Sequence, residues 1–68
     1  MNHETFGKKM TNYTLLYVED DLEIRAHISE FLKRYFKNVY ESDSAEEGFI
    51  LYKEYRPDIL LLDINLRD

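Results

Sequence analysis

Sixty-eight residues hold one small domain at most, and a chain of this length buries only about 60% of the surface its unfolded form exposes. Nine basic against fourteen acidic residues give a formal charge of −5 with no Lys/Arg-rich stripe, which argues against direct nucleic-acid binding and for cations as ligands. Cysteine is absent, which excludes disulfides, cysteine-ligated zinc and thiol nucleophiles and fits a cytoplasmic setting, while 44% hydrophobic residues exclude disorder.

Residues 1–12, MNHETFGKKMTN, read as a flexible leader without the apolar core of a secretory signal. No later run approaches the roughly 18 apolar residues of a membrane helix. Tyr13-Thr14-Leu15-Leu16-Tyr17-Val18 is a continuous apolar and β-branched run that reads as a strand buried on both faces, as in parallel sheets. It stops at the acidic triplet Glu19-Asp20-Asp21. From Leu22 the period changes: Ile24, Ile28, Phe31, Leu32, Tyr35 and Phe36 make an apolar helical stripe, with Arg25, Lys33, Arg34 and Lys37 on the other positions. Asp20, three residues before Glu23, is the expected start of this helix and Lys37-Asn38 its expected end.

Val39-Tyr40-Glu41 predicts a second, edge strand. Ser44 with Glu47 supplies a capping box for a second helix, with Ala45, Gly48, Phe49, Tyr52 and Tyr55 on its expected buried face and Gly48 marking close helix–sheet approach. Pro57 ends the connection, and Ile59-Leu60-Leu61-Leu62 predicts a third strand that again stops at an acid, Asp63. The order β-α-β-α-β with right-handed crossovers predicts a doubly wound parallel α/β sheet.

Ligands of such sheets sit beyond the carboxyl ends of the strands. If strands one and three are neighbours, Glu19, Asp20 and Asp63 meet at one edge. Crowded carboxylates repel one another, and an all-oxygen, partly hydrated pocket suits Mg²⁺ or a similar hard cation. A carboxylate beside Mg²⁺ can attack a phosphoryl group. Asp63 is the expected nucleophile because it follows four apolar residues on what reads as the best-buried strand, with the most rigidly held backbone; Asp20 would hold the ion directly and Glu19 through water.

LLYVEDDLEIR, Leu15 to Arg25, and PDILLLDIN, Pro57 to Asn65, with SAEEG between them, resemble in order and spacing the opening motifs of the response-regulator receiver domain of two-component signalling. The resemblance covers residues 13–68 and marks them as the N-terminal portion of a receiver. It implies a flavodoxin-like (CheY-like) fold with strand order 2-1-3-4-5, which sets strands one and three side by side. It also implies that Asp63 accepts a phosphoryl group from a sensor histidine kinase and that Glu19 and Asp20 organise Mg²⁺. Asn65 would complete the metal site through its backbone carbonyl. The chain would then be a phosphoacceptor that switches partners, not an enzyme.

Departures from the family qualify this expectation. The hydroxyl residue of strand four and the lysine of strand five have no counterpart within residues 1–68, and Arg67 stands where the family often has proline. Phosphotransfer by these residues alone is therefore expected to be crippled, with weak Mg²⁺ binding surviving. An unpaired apolar edge on the third strand predicts either a fragment of a longer regulator or a homodimer that shares strands across that edge.

Blander readings compete. Asp20 and Asp21 would serve only as helix caps in a receiver-like interaction module that is never phosphorylated. LLLDIN also resembles the strand of a haloacid-dehalogenase-type phosphohydrolase, with Asn65 in place of the second Asp, but that reading leaves Glu19 and Asp20 unexplained. His3 and His27 are expected to face solvent, and Tyr40, Tyr52 and Tyr55 to pack or line the surface.

Overall fold

The computed structural model describes residues 11–63. The expected leader (but for Thr11 and Asn12), His3, Asn65 and Arg67 lie outside the described residues. Strand β1 runs Thr14–Glu19, helix α1 Leu22–Leu32, strand β2 Asn38–Ser42, helix α2 Ala45–Tyr55 and strand β3 Ile59–Asp63. All pairings are parallel in the order β2-β1-β3, so β1 is central and β2 lies at an edge, as its composition predicts. This is the β-α-β-α-β half of a flavodoxin-like, doubly wound sheet.

The core is β1 itself: Leu15, Leu16, Tyr17, Val18 and Glu19 are each 1% exposed. Burial on both faces of one strand needs cover on both sides. Strand alternation sends Val18 to one face and Tyr17 and Glu19 to the other. On the Val18 side lies α2, where a Cβ on Gly48 would stand 2.9 Å from Val18 Cγ2. Opposite, α1 reaches the sheet through Arg25 and through Ser29, itself buried. Neither helix packs on β3, and Leu60, Leu61 and Leu62 are exposed there, so the best-buried strand is β1 and not, as its four apolar residues predict, β3.

Hydrogen bonds at the amino ends of the strands set the register. Asp58 Oδ2 accepts from the Thr14 N–H at 2.8 Å and from its hydroxyl at 3.1 Å, and the Asp58 N–H returns a bond to the Thr14 carbonyl at 3.0 Å. The Lys37 N–H ties β2 in by donating to the Tyr13 carbonyl at 2.8 Å. A slip of one residue would turn every side chain to the wrong face, so this clamp decides what meets at the far end.

Four local expectations are corrected. The cap of α1 is Asp21, not Asp20: its carboxylate accepts from the Ile24 N–H at 3.0 Å, and Glu23 sits inside the first turn. Helix α1 ends at Leu32 instead of Lys37, because the Arg34 and Tyr35 N–H groups step back to three-residue bonds with the Phe31 and Leu32 carbonyls, tightening the chain before it enters β2. Its sheet-facing side carries Arg25, Ser29 and Leu32, whereas Ile24, Ile28 and Phe31 of the apolar stripe are exposed. The buried face of α2 is likewise narrower than expected. Gly48 is buried, but Ala45, Phe49, Tyr52 and Tyr55 are exposed, because β3 beside them carries no further cover among the described residues.

The capping box of α2 is only half formed. Ser44 Oγ accepts from the Glu47 N–H at 3.2 Å, but the Ser44 N–H donates to Ser42 Oγ at 3.3 Å. Tyr40 stacks on Tyr55 at 4.4 Å between ring centres, and His27 faces solvent, both as expected.

Candidate functional site

The carboxyl ends of β1 and β3 carry the acids. The register pairs Leu15 with Ile59 and, four residues on, Glu19 with Asp63, so the two carboxylates leave the same face of adjacent strands. The sequence-predicted pair is therefore brought together. Asp20 follows in the turn and is exposed, as is Asp63, while the Glu19 side chain is buried.

Two acids of the triplet, Glu19 and Asp21, have separate structural tasks. Glu19 Oε2 accepts from the Asp21 N–H at 2.9 Å, which folds the turn back on the strand. Asp21 caps α1. Asp20 has no part in capping, so the blander reading, in which Asp20 and Asp21 both serve the helix, holds for Asp21 alone.

The electrostatics are those of a crowded anionic site. The Asp21 N–H draws the Glu19 pKa down, but burial and the neighbouring carboxyls of Asp20 and Asp63 overcome it, and the net shift is upward. Below Glu19 on the same face, the Tyr17 phenol is also held above its ordinary value, by burial first and then by Glu19 and Asp63, with Arg25 opposing. Its hydroxyl has no hydrogen-bond partner among the described residues.

The upward shift of Glu19 has a definite sign in pH. The folded state holds this proton more tightly than the unfolded chain, so the contribution is fully present below the ordinary glutamate pKa and is lost as pH rises through the folded value. Thermal melts of the metal-free protein are therefore expected to show a stabilising component that fades from the ordinary glutamate range upward. Glu19→Gln, which keeps an acceptor for the Asp21 N–H, is expected to flatten that component and raise the melting temperature at neutral pH. An unchanged slope in the variant would place the titration elsewhere.

The donor set fits a hard divalent cation in its chemistry. What acts on the Glu19 carboxyl is one N–H, burial and two further acids, an arrangement that a cation relieves. Among the described residues no group of three or more His, Asp or Glu side chains is placed to hold a metal ion. Mg²⁺ asks for less, because it binds through one or two carboxylates and keeps several waters.

Arg25 is the residue that sequence reasoning misplaced. Counted with the polar side of α1, it instead turns inward, and its Nη1 donates to the Glu19 carbonyl at 2.8 Å. Its position beside an acid-rich strand end was the available signal, but helical periodicity sorts side chains by polarity and has no means of seeing a carbonyl as a partner.

Comparison with known proteins bears on the family. Over 54 residues, 79% of its length, the chain is 48% identical to the cell cycle response regulator CtrA of Brucella ovis, and equally to the proteins of that name from Brucella anthropi and Brucella abortus. The chain carries a response-regulator receiver segment. This segment spans about a quarter, 23%, of the length of the curated relatives it matches. No protein-family model and no solved structure matches it. Among its described residues no helix is long and apolar enough to cross a membrane.

Proposed function

We infer that this receiver segment accepts a phosphoryl group on Asp63 from a sensor histidine kinase, in the cytoplasm, and changes its protein contacts when modified. The observation that carries the reading is the register that sets Asp63 beside Glu19, with Asp20 at the next position. In the transfer, an Asp63 carboxylate oxygen forms a bond to phosphorus as the bond to the donor nitrogen breaks, and the electron pair stays with the departing imidazole. Asp20 and Asp63 would hold Mg²⁺ directly, Glu19 through water and Asn65 through its carbonyl, and the ion would neutralise charge on the transferred oxygens. Glu19, anchored by the Asp21 N–H, keeps the floor of the site in place. The segment is the target of this chemistry and turns over no separate substrate.

Titration with Mg²⁺, followed by amide chemical shifts, is expected to report weak binding that is lost in Asp20→Asn and in Asp63→Asn. Binding that survives both substitutions would leave the acids with structural tasks only and favour the interaction module that is never phosphorylated.

The outer edge of β3 supports a further contact of the 68-residue chain with itself. Leu60, Leu61 and Leu62 are 48%, 39% and 57% exposed on a strand without Pro, Lys or a bulge to blunt it. A second copy pairing along this edge would cover them. Sedimentation is expected to show a dimer that Leu61→Lys dissociates, and a monomer at every concentration would refute the pairing.

A further inference from the structure

A cation in the opening turns of a helix works against the positive end of the dipole. Arg25 sits there: its N–H makes a helical bond to the carbonyl of the cap, Asp21, at 2.9 Å. The side chain does not escape to solvent, being 16% exposed. Its Nη1 donates to the Glu19 carbonyl, and its Nε lies 3.9 Å from Glu41 Oε1, whose other oxygen is 3.4 Å from Lys33 Nζ. Glu41 stands opposite Tyr17 in the β1–β2 register and so shares the face of Tyr17 and Glu19.

The Glu19 carbonyl and the Asp20 N–H belong to one planar peptide. A donor fixed on that carbonyl fixes the plane, and with it the direction in which Asp20 leaves the strand. The planar guanidinium is suited to this, since it can hold a carbonyl and a carboxylate at once, whereas an ammonium is a single point.

We propose that Arg25 is a positioning residue for the acidic turn: its hydrogen bond to the Glu19 carbonyl orients the Glu19–Asp20 peptide and so holds Asp20 beside Glu19 and Asp63, while the Glu41 carboxylate, 3.9 Å from its Nε, adds only a longer ion pair. Its effect on metal affinity rests on the function inferred above; its effect on the peptide does not. The ion pairs of Glu41 run to Arg25 and Lys33 and not to the turn, so the ion pair and the carbonyl bond can be separated by substitution.

The test compares amide spectra of the 68-residue chain, without metal and across a Mg²⁺ titration, for wild type, Arg25→Ala, Arg25→Lys and Glu41→Gln. Arg25→Ala is expected to shift the Asp20 and Asp21 amides in the metal-free protein and to weaken Mg²⁺ binding about tenfold, the lower end of what outer partners of metal ligands contribute. Glu41→Gln is expected to lower the melting temperature while leaving those amides and the affinity nearly unchanged. If Arg25→Ala does not fold, Arg25→Lys, which keeps the charge but not the fork, is read in its place with the same expected direction. Unmoved amides in the variant that is read, or equal effects from Glu41→Gln, overturn the proposal. Wild type that binds no Mg²⁺, together with shifted amides in Arg25→Ala, upholds the positioning role and removes the metal reading instead.

Discussion

Asp63→Asn is expected to abolish phosphoryl incorporation altogether. Intact mass after incubation with Mg²⁺ and a small acyl phosphate should show one added phosphoryl group on wild type, formed slowly by residues 1–68 alone, and none on the variant. The reason is chemical as well as geometric. An amide nitrogen and its carbonyl are poor nucleophiles beside a carboxylate, and no other acid shares the place of Asp63 across from Glu19. Asp58 is the internal control, because it lies at the opposite end of the same strand and spends its carboxylate on Thr14. Asp58→Asn keeps an acceptor for those bonds and should leave labelling intact. Label that persists in Asp63→Asn would move the nucleophile to another residue and sink the assignment.

Gly48→Leu should be the most damaging single change to the fold. A Cβ at position 48 already meets Val18 Cγ2 at 2.9 Å, and Val18 is 1% exposed on a central strand that cannot give way. Overpacking of this kind costs about 1–3 kcal/mol and sometimes more. At roughly 0.05–0.15 kcal/mol per residue a chain this short holds only a few kcal/mol in total. Denaturant melts of Gly48→Leu are therefore expected to show loss of most of the transition. Gly48→Ala already places its Cβ 2.9 Å from Val18 Cγ2, so the about 1 kcal/mol of helix propensity it gains only offsets part of that overlap, and it should destabilise, though less than Gly48→Leu. Adding Val18→Ala to Gly48→Leu should cost less than Val18→Ala costs alone, since the new side chain fills the space vacated. Simple additivity would show that the two positions do not touch. The consequence reaches the site, because Val18 immediately precedes Glu19 and a displaced strand end moves the acids with it.

Much of this was legible in local chemistry. Tyr13 to Val18 is too uniformly apolar to be anything but a doubly covered strand, and Ser44 and Pro57 bracket α2 by capping and by ring geometry. Gly48 announced the close approach that the structure contains. Such signals are readable because they depend on neighbours within four residues. Where they failed, a distant partner had decided. Periodicity turned Ile24, Ile28 and Phe31 inward, but α1 is rotated to bring Arg25 onto the Glu19 carbonyl and Ser29 onto the sheet. Asp20 and Asp21 are equivalent as capping residues until the backbone shows which N–H is in reach, and Asp21 takes it.

The residues by themselves determined which elements form and that each of two strands ends in an acid, because backbone preference and apolar period are local properties. They also determined the family, through two motifs held at the right separation. Only the tertiary structure decided that Glu19 and Asp63 stand opposite one another, since that depends on the Thr14–Asp58 clamp five residues away and on which strand lies beside β1. Only it decided that Glu19 is buried among acids while Asp20 is left exposed, and that an arginine expected in solvent holds the peptide between them. Register and helix rotation are long-range choices, fixed by contacts between residues the sequence keeps far apart.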